Sequence, residues 1–333
     1  MSPAVLPTLA DIEAACGRIR GVATRTPLVR LGVDDAPAEI YLKLENLQPI
    51  GSFKLRGAAN AIAQLSAEEL QRGVLTASAG NMAQGVAWCA RGLGIPCTVV
   101  SPDTAPRTKI AAIERLGGRV IQLPFERWWQ TFEERSYPGV DATFVHAFDD
   151  PAVIAGNGTI GVEIIEDMPD VDAIVAAWGG GGLACGIASA VRVLKPDTRL
   201  YAAEVETSIP FSSALAAGEP VEVDYTPSFV DGIGSRVVFP QMLERAQGLI
   251  DGALVASLDA VAAAVRLAAE RNRVIAEGAG ACPLACALAG EAGAGKVVCV
   301  VSGGNIDLAT FCELVTRAGM VAALVPGRGD VGD

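Results

Sequence analysis

The chain has 333 residues, 51% of them hydrophobic and 19% charged, with a net charge of −12. That length suits one large domain or two of ordinary size, and the composition excludes an intrinsically disordered chain. An acidic balance without a basic patch argues against nucleic acid and acidic membrane surfaces as partners, and no apolar run of about 18 residues is present to span a bilayer.

In chain order, "TLADIEAACGRIRG" sets Thr8 and Asp11 three apart, the spacing of a capping box, and ends at Gly21, which predicts a helix. The N-terminal stretch has no basic segment followed by an apolar core, so no secretory leader and a cytoplasmic location are expected. "EIYLKLE" (39–45) reads as a strand. "VLTAS" is a short apolar strand, "MAQGVAWCARGLG" a helix stopping at Gly92 or Gly94, "CTVVSP" a strand, "APRTKIAAIERLGG" a helix and "RVIQL" a strand. "DAIVAAW", "LACGIASAVRVLK", "RLYAAEVE", "DAVAAAVRLAAERN", "KVVCVVSGGN" and "IDLATFCELV" continue the alternation, and "GRGDVGD" reads as a loose tail. Helices alternating with continuous apolar strands indicate an α/β fold of mostly parallel sheets covered on both faces. One series occupies about 54–150 and a second starts near 171. The expected architecture is a small domain, 54–150, and a large one, 1–53 plus 151–333, with ligand in the cleft beyond the carboxyl ends of the strands.

The eight cysteines (Cys16, Cys89, Cys97, Cys185, Cys282, Cys286, Cys299 and Cys312) form no CxxC pair and sit mostly among Ala, Val and Ile. They read as small buried apolar residues of a reducing compartment. His146 is the single histidine; a histidine-built metal site or a Ser-His-Asp triad would rest wholly on it, and neither is expected.

Chemistry concentrates in four loops at strand ends. "PIGSFK" leads to Lys54, "SAGNMAQG" (78–85) follows one strand, "GGGGLACG" (179–186) another and "SGGN" (302–305) a third. Each carries Gly or Ser and enters a helical pattern, so backbone N–H groups there can face an anion. Four consecutive glycines between an apolar strand and an apolar helix read as a phosphate cradle, not a linker. Neither a Rossmann GxGxxG spacing nor a Walker lysine accompanies them.

The ordered set "GSFKLRGA", "SAGNMAQG", "GGGGL", "EGAGA" and "SGGN", with "FVHAFDDPAVIAGNGTIGVEI" (144–164), resembles the pyridoxal-phosphate enzymes of the tryptophan-synthase-β fold type, and most of all the serine/threonine dehydratases. The resemblance runs from about residue 8 to 316. It implies that Lys54 carries the cofactor as a Schiff base and, once freed, takes the substrate α-proton. It implies that Phe53 packs on the cofactor ring, Asn81 bonds the ring hydroxyl, Gly179, Gly180, Gly181, Gly182 and Leu183 bind the phosphate, and Ser302 faces the pyridine nitrogen. Gly232 and Glu277 are assigned to the cofactor by the same resemblance, and Ser78, Ala79, Gly80, Asn81 and Met82 to the substrate carboxylate. A neutral hydroxyl at Ser302 makes a weaker electron sink than a carboxylate, which favours β-elimination over transamination. The implied activity is dehydration of a β-hydroxy-α-amino acid to a 2-oxo acid and ammonia by a homodimer. Racemisation, β-replacement and a catalytically silent binding protein are the alternatives.

Several positions depart from the family pattern. Ala79 stands where the racemases carry a second serine as acid/base, which argues against racemisation. Met82 replaces a usual histidine, which suggests a pocket favouring apolar β-substituents, threonine or larger. Trp178 is bulkier than usual, and Asn157 replaces a glutamine. Some members bind a divalent cation after the strand equivalent to "YAAEVE". Glu204 matches one ligand, but Ser208 and Pro210 fall where a carbonyl donor and an aspartate are expected, so no metal is expected. The chain ends soon after "SGGN", and a C-terminal regulatory domain is not expected.

Overall fold

The computed structural model describes residues 5–316, and the expected tail at 327–333 lies outside them. Helix α1 (Leu9–Arg18) starts on the capping box expected of it: the Thr8 hydroxyl accepts from the Asp11 N–H, and the Asp11 carboxylate accepts from the Thr8 N–H. Strands β1 (Leu28–Arg30) and β2 (Glu39–Lys43) follow. The chain then enters a helix–strand series: α2 (Lys54–Ile62), α3 (Ala67–Arg72), β3 (Val74–Ala77), α4 (Asn81–Leu93), β4 (Cys97–Pro102), α5 (Arg107–Arg115), β5 (Arg119–Leu123), α6 (Phe125–Glu134) and β6 (Thr143–Phe144). Helix α4 stops at Gly94, whose φ of 67° belongs to the left-handed cap that glycine adopts without strain.

The second series is α7 (Pro151–Asp167), β7 (Ala173–Ala177), α8 (Gly182–Leu194), β8 (Arg199–Val205), α9 (Pro210–Ala217), α10 (Pro240–Ala246), β9 (Gly252–Ala256), α11 (Leu258–Leu267), α12 (Gly278–Leu288), β10 (Lys296–Val300) and α13 (Leu308–Thr316). The strands form two sheets. One has six strands in the order β1-β2-β10-β7-β8-β9, and the other has four in the order β5-β4-β3-β6. Every pairing is parallel except β1 with β2 at the edge of the larger sheet. The strands β3, β7 and β10 are almost wholly buried, as apolar parallel strands covered on both faces must be. The short edge strands β1 and β6 are only half-buried and lack such a run. The stretch expected as one helix at 259–272 divides instead, α11 ending at Leu267 in a π turn over Ala268–Asn272.

Helix α7 is the hub of the molecule. It packs closely on both α2 and α8, and its glycines allow that approach: a Cβ at Gly156 would meet the Arg56 carbonyl oxygen at 2.5 Å. A buried ion network spans the contact with α2. The Arg56 guanidinium donates to both carboxylate oxygens of Glu45 at 2.8 Å and to Glu163 at 2.7 and 2.8 Å, while Lys43 donates to Glu163 at 2.6 Å. Thr26 adds a 2.5 Å hydrogen bond to Glu45, and Thr159 receives one at 3.0 Å from Arg56. Burial alone would raise the Glu45 pKa; the Arg56 charge and hydrogen bonds outweigh it and hold the carboxyl below its ordinary range.

The eight cysteines are free, and six of them are buried. No helix among the described residues is long and apolar enough to cross a membrane.

Candidate active site

Sheet order makes the loops after β2, β10 and β7 neighbours, because those three strands lie side by side in the larger sheet. Hydrogen bonds then tie the loops together. Phe53 N–H donates to the Ser302 carbonyl at 3.0 Å, Ser52 and Gly303 form an antiparallel bridge, and Gly304 N–H donates to the Gly51 carbonyl at 2.9 Å. Lys54 and Ser302 are thereby fixed on adjoining backbone. Asn81, from the loop after β3 in the smaller sheet, reaches the same place. Its Nδ2 donates to Glu277 Oε1 at 2.9 Å, and its Oδ1 accepts from Asn305 Nδ2 at 2.7 Å. Asn305 also donates to the Ile50 carbonyl at 2.8 Å, so "SGGN" holds the loop before Lys54 as well.

Lys54 opens α2. Its Nζ donates to the Ala147 carbonyl at 2.7 Å and lies 5.1 Å from the Phe53 ring centroid. Burial pushes its pKa down to about 8, against a smaller opposing pull from the Glu277 charge. Burial pushes Glu277 up to about 7, with the Asp231 carboxylate adding to the rise. Asp231 itself pairs with Lys109 at 2.5 Å. Ser302 is 4% exposed, and among the described residues its hydroxyl has no hydrogen-bond partner.

The glycine loop joins β7 to α8. None of the N–H groups of Gly179 to Leu183 donates to an acceptor among the described residues, so five donors stand open at the start of a helix whose dipole favours an anion there. The glycines are needed on packing grounds too. A Cβ at Gly180 would run into the Phe148 ring, and one at Gly181, where φ is 86°, would come within 2.6 Å of Trp178. Asn157 supports the loop from α7, donating to the Gly182 carbonyl at 3.1 Å. Gly232 lies beside the loop: its carbonyl oxygen would sit 3.3 Å from a Cβ at Gly179.

In the loop after β3, Gly80 N–H donates to the Ser78 hydroxyl at 3.2 Å, and the N–H groups of Ala79, Asn81 and Met82 have no acceptor among the described residues. Those donors suit a carboxylate. The Met82 side chain does not join them. It is 2% exposed and packs with Leu55, Ala58 and Val86 in the core of the smaller sheet's layer. Helical spacing explains this, since 82, 86 and 90 share the buried face of α4. The substrate preference expected from its thioether therefore has no geometric basis. Trp178 is likewise buried under the glycine loop and not beside the substrate loop.

Residues 146–149 were not singled out as site residues from the sequence, yet they wall the site opposite Lys54. His146 Nδ1 accepts from the N–H groups of Phe148 at 3.2 Å and Asp149 at 2.8 Å, and its ring is 4.5 Å from Phe132. Burial, with help from the Arg135 charge, pushes its pKa down to about 3, so it is a neutral acceptor holding a turn. Asp149 accepts from Arg135 at 2.5 Å, from Gln241 at 2.9 Å and from Arg245. Both guanidiniums are committed to it. Asn305 is the other site residue the sequence left unassigned, although "SGGN" quoted it.

These parts fit a phosphorylated aldehyde: a part-buried amine, an open anion cradle, an aromatic face and the neutral hydroxyl of a buried serine. Comparison with known proteins gives the same answer. Residues 19–303 match the family model described as pyridoxal-phosphate dependent enzyme. The chain is 40% identical over 315 residues to an L-threonine ammonia-lyase of Thermotoga maritima, covering 93% of this chain and 78% of that one. It superposes on the processed form of threonine deaminase isoform 2 from Solanum lycopersicum with a TM-score of 0.84 at 32% identity, over 96% of this chain and 98% of that one. Maize serine racemase gives a TM-score of 0.84 at 30% identity, over 93% and 97%.

Proposed function

The chain belongs to the pyridoxal-phosphate-dependent enzyme family, and we propose that within it the protein is a dehydratase acting on L-threonine. The reaction is β-elimination: the substrate hydroxyl leaves with a proton as water, and hydrolysis of the resulting imine yields a 2-oxo acid and ammonia. The observation that carries this reading is Lys54, a part-buried amine held by the Ala147 carbonyl beside an open phosphate cradle and the hydroxyl of a buried serine, Ser302.

Pyridoxal phosphate, when bound, supplies the aldehyde that joins an amine and the ring that accepts the electron pair released with the α-proton. The remaining work belongs to the chain. Gly179 to Leu183 offer the N–H groups that hold a phosphate, and Phe53 offers a flat apolar contact. Ala79, Asn81 and Met82 present N–H groups suited to the substrate carboxylate. Lys54 Nζ, neutral at mildly alkaline pH, is the base within reach for the α-proton. Ala79 has no group to carry a proton on the opposite face, which favours elimination over racemisation. A homodimer and a cytoplasmic location are further inferences from the family resemblance; light scattering on the purified protein tests the first.

Two results are expected. The cofactor-free protein should capture pyridoxal phosphate at a rate that rises roughly ten-fold per pH unit up to about pH 8 and then levels, because only the neutral Lys54 amine adds to an aldehyde. A rate still climbing at pH 10 would mean an ordinary lysine. Ser302→Asp should slow elimination by about ten-fold or more and increase α-proton exchange with solvent, since a carboxylate favours a protonated ring nitrogen. Deuterium uptake into recovered threonine measures it, and unchanged elimination without exchange would remove the electronic role given to Ser302.

A further inference from the structure

A column of side chains links Glu204 to the glycine loop. Glu204 is 1% exposed, at the end of β8, and both its oxygens are filled by the first turn of α9. Oε1 accepts from Phe211 N–H at 2.7 Å, and Oε2 accepts from Ser212 N–H at 2.8 Å and from the Ser212 hydroxyl at 2.6 Å. Phe211, so placed, stacks on Trp178 with ring centroids 3.7 Å apart and planes 16° from parallel. The far edge of the indole then rests on Gly181, the residue that turns the loop into α8.

The side chains at the expected cation ligands are engaged elsewhere. The Ser208 hydroxyl donates to the Ser235 carbonyl at 2.7 Å and accepts from Ser235 N–H at 2.9 Å, while the side chain of Pro210 brings no oxygen. No group of three or more His, Cys, Asp or Glu among the described residues is placed to hold a metal. A helix N-terminus occupies the carboxylate instead.

We propose that Glu204, Phe211 and Trp178 are positioning residues for the phosphate cradle, fixing the Gly179–Gly182 loop from beneath without a divalent cation. The indole is kept although its Nε1 is buried and has no acceptor among the described residues. A phenylalanine would avoid that cost but would not reach Gly181. Ring size, not polarity, is what the position uses.

The inference rests on the cofactor assignment above, and its test separates the two. The full-length chain, stripped of cofactor, is titrated with pyridoxal phosphate and with pyridoxal, and the ratio of the two Kd values is compared between variants. Both ligands need Lys54, but only one needs the cradle. Trp178→Phe is expected to reduce the ratio at least ten-fold while leaving the pyridoxal Kd within two-fold, and Phe211→Leu to act in the same direction. A chelator is expected to leave the wild-type ratio unchanged. General destabilisation would weaken both ligands together and leave the ratio intact, which would overturn the proposal, as would a wild-type ratio that collapses on chelation. A wild type that does not prefer the phosphorylated form overturns the proposal and the cofactor assignment with it.

Discussion

Lys54→Ala is expected to abolish turnover, by roughly 10⁴-fold or more, while the protein still folds. The loss is large because one amine does two jobs, attaching the cofactor and moving the α-proton, and base catalysis alone contributes about 10²–10⁴-fold. The fold should survive because, among the described residues, Lys54 Nζ makes a single hydrogen bond, to the Ala147 carbonyl, and no ion pair. Removing a cation that burial already penalises costs little, and alanine is the best helix former for the first turn of α2. Circular dichroism and melting temperature check the second half. Borohydride reduction of the wild type followed by peptide mapping checks the first: the cofactor should be fixed to the peptide containing Lys54. A label on another lysine, or residual elimination within about 100-fold of wild type, would remove Lys54 from its role.

Arg56→Leu should produce the largest loss of stability. Arg56 is 1% exposed, and it is the common partner of Glu45 and Glu163, which are buried with it. Among the described residues, deleting the guanidinium leaves Glu45 with Thr26 and Gln48, and Glu163 with Lys43. Breaking a buried pair from one side typically costs about 3–5 kcal/mol, because the abandoned carboxylate stays in a low-dielectric site. At about 2 °C per kcal/mol for a chain of this size, the melting temperature should fall by about 6–10 °C. Urea unfolding measures the same difference directly. A change under about 1 kcal/mol would mean that water reaches the network and screens it. Activity should fall too, since Arg56 lies two residues from Lys54 and ties α2 to α7.

Much of this was legible from the sequence where local chemistry and tertiary structure agree. Thr8 and Asp11 form their capping box because both partners lie within one turn, and Gly94 ends α4 because the left-handed cap favours glycine. The loops after β2, β3, β7 and β10 converge because the carboxyl ends of parallel strands open on one side of a sheet. What stayed hidden depends on which way a side chain points. Met82 sits beside a ligand-binding loop in the sequence, yet helical periodicity turns it into the core. Trp178 precedes the glycines, yet strand alternation puts it beneath them, against Phe211. The turn at 146–149 held by His146, and the hold of Asn305 on Asn81, join residues distant in the chain or rely on backbone donors, which spacing alone does not reveal.

The most direct test of the central claim is a product balance. The purified protein, loaded with pyridoxal phosphate and given L-threonine, should release 2-oxobutanoate and ammonia in equal amounts, with no D-allo-threonine, the C2 epimer, accumulating. Epimerised threonine without oxo acid, or no reaction with threonine under conditions where the cofactor is bound to Lys54, would contradict it.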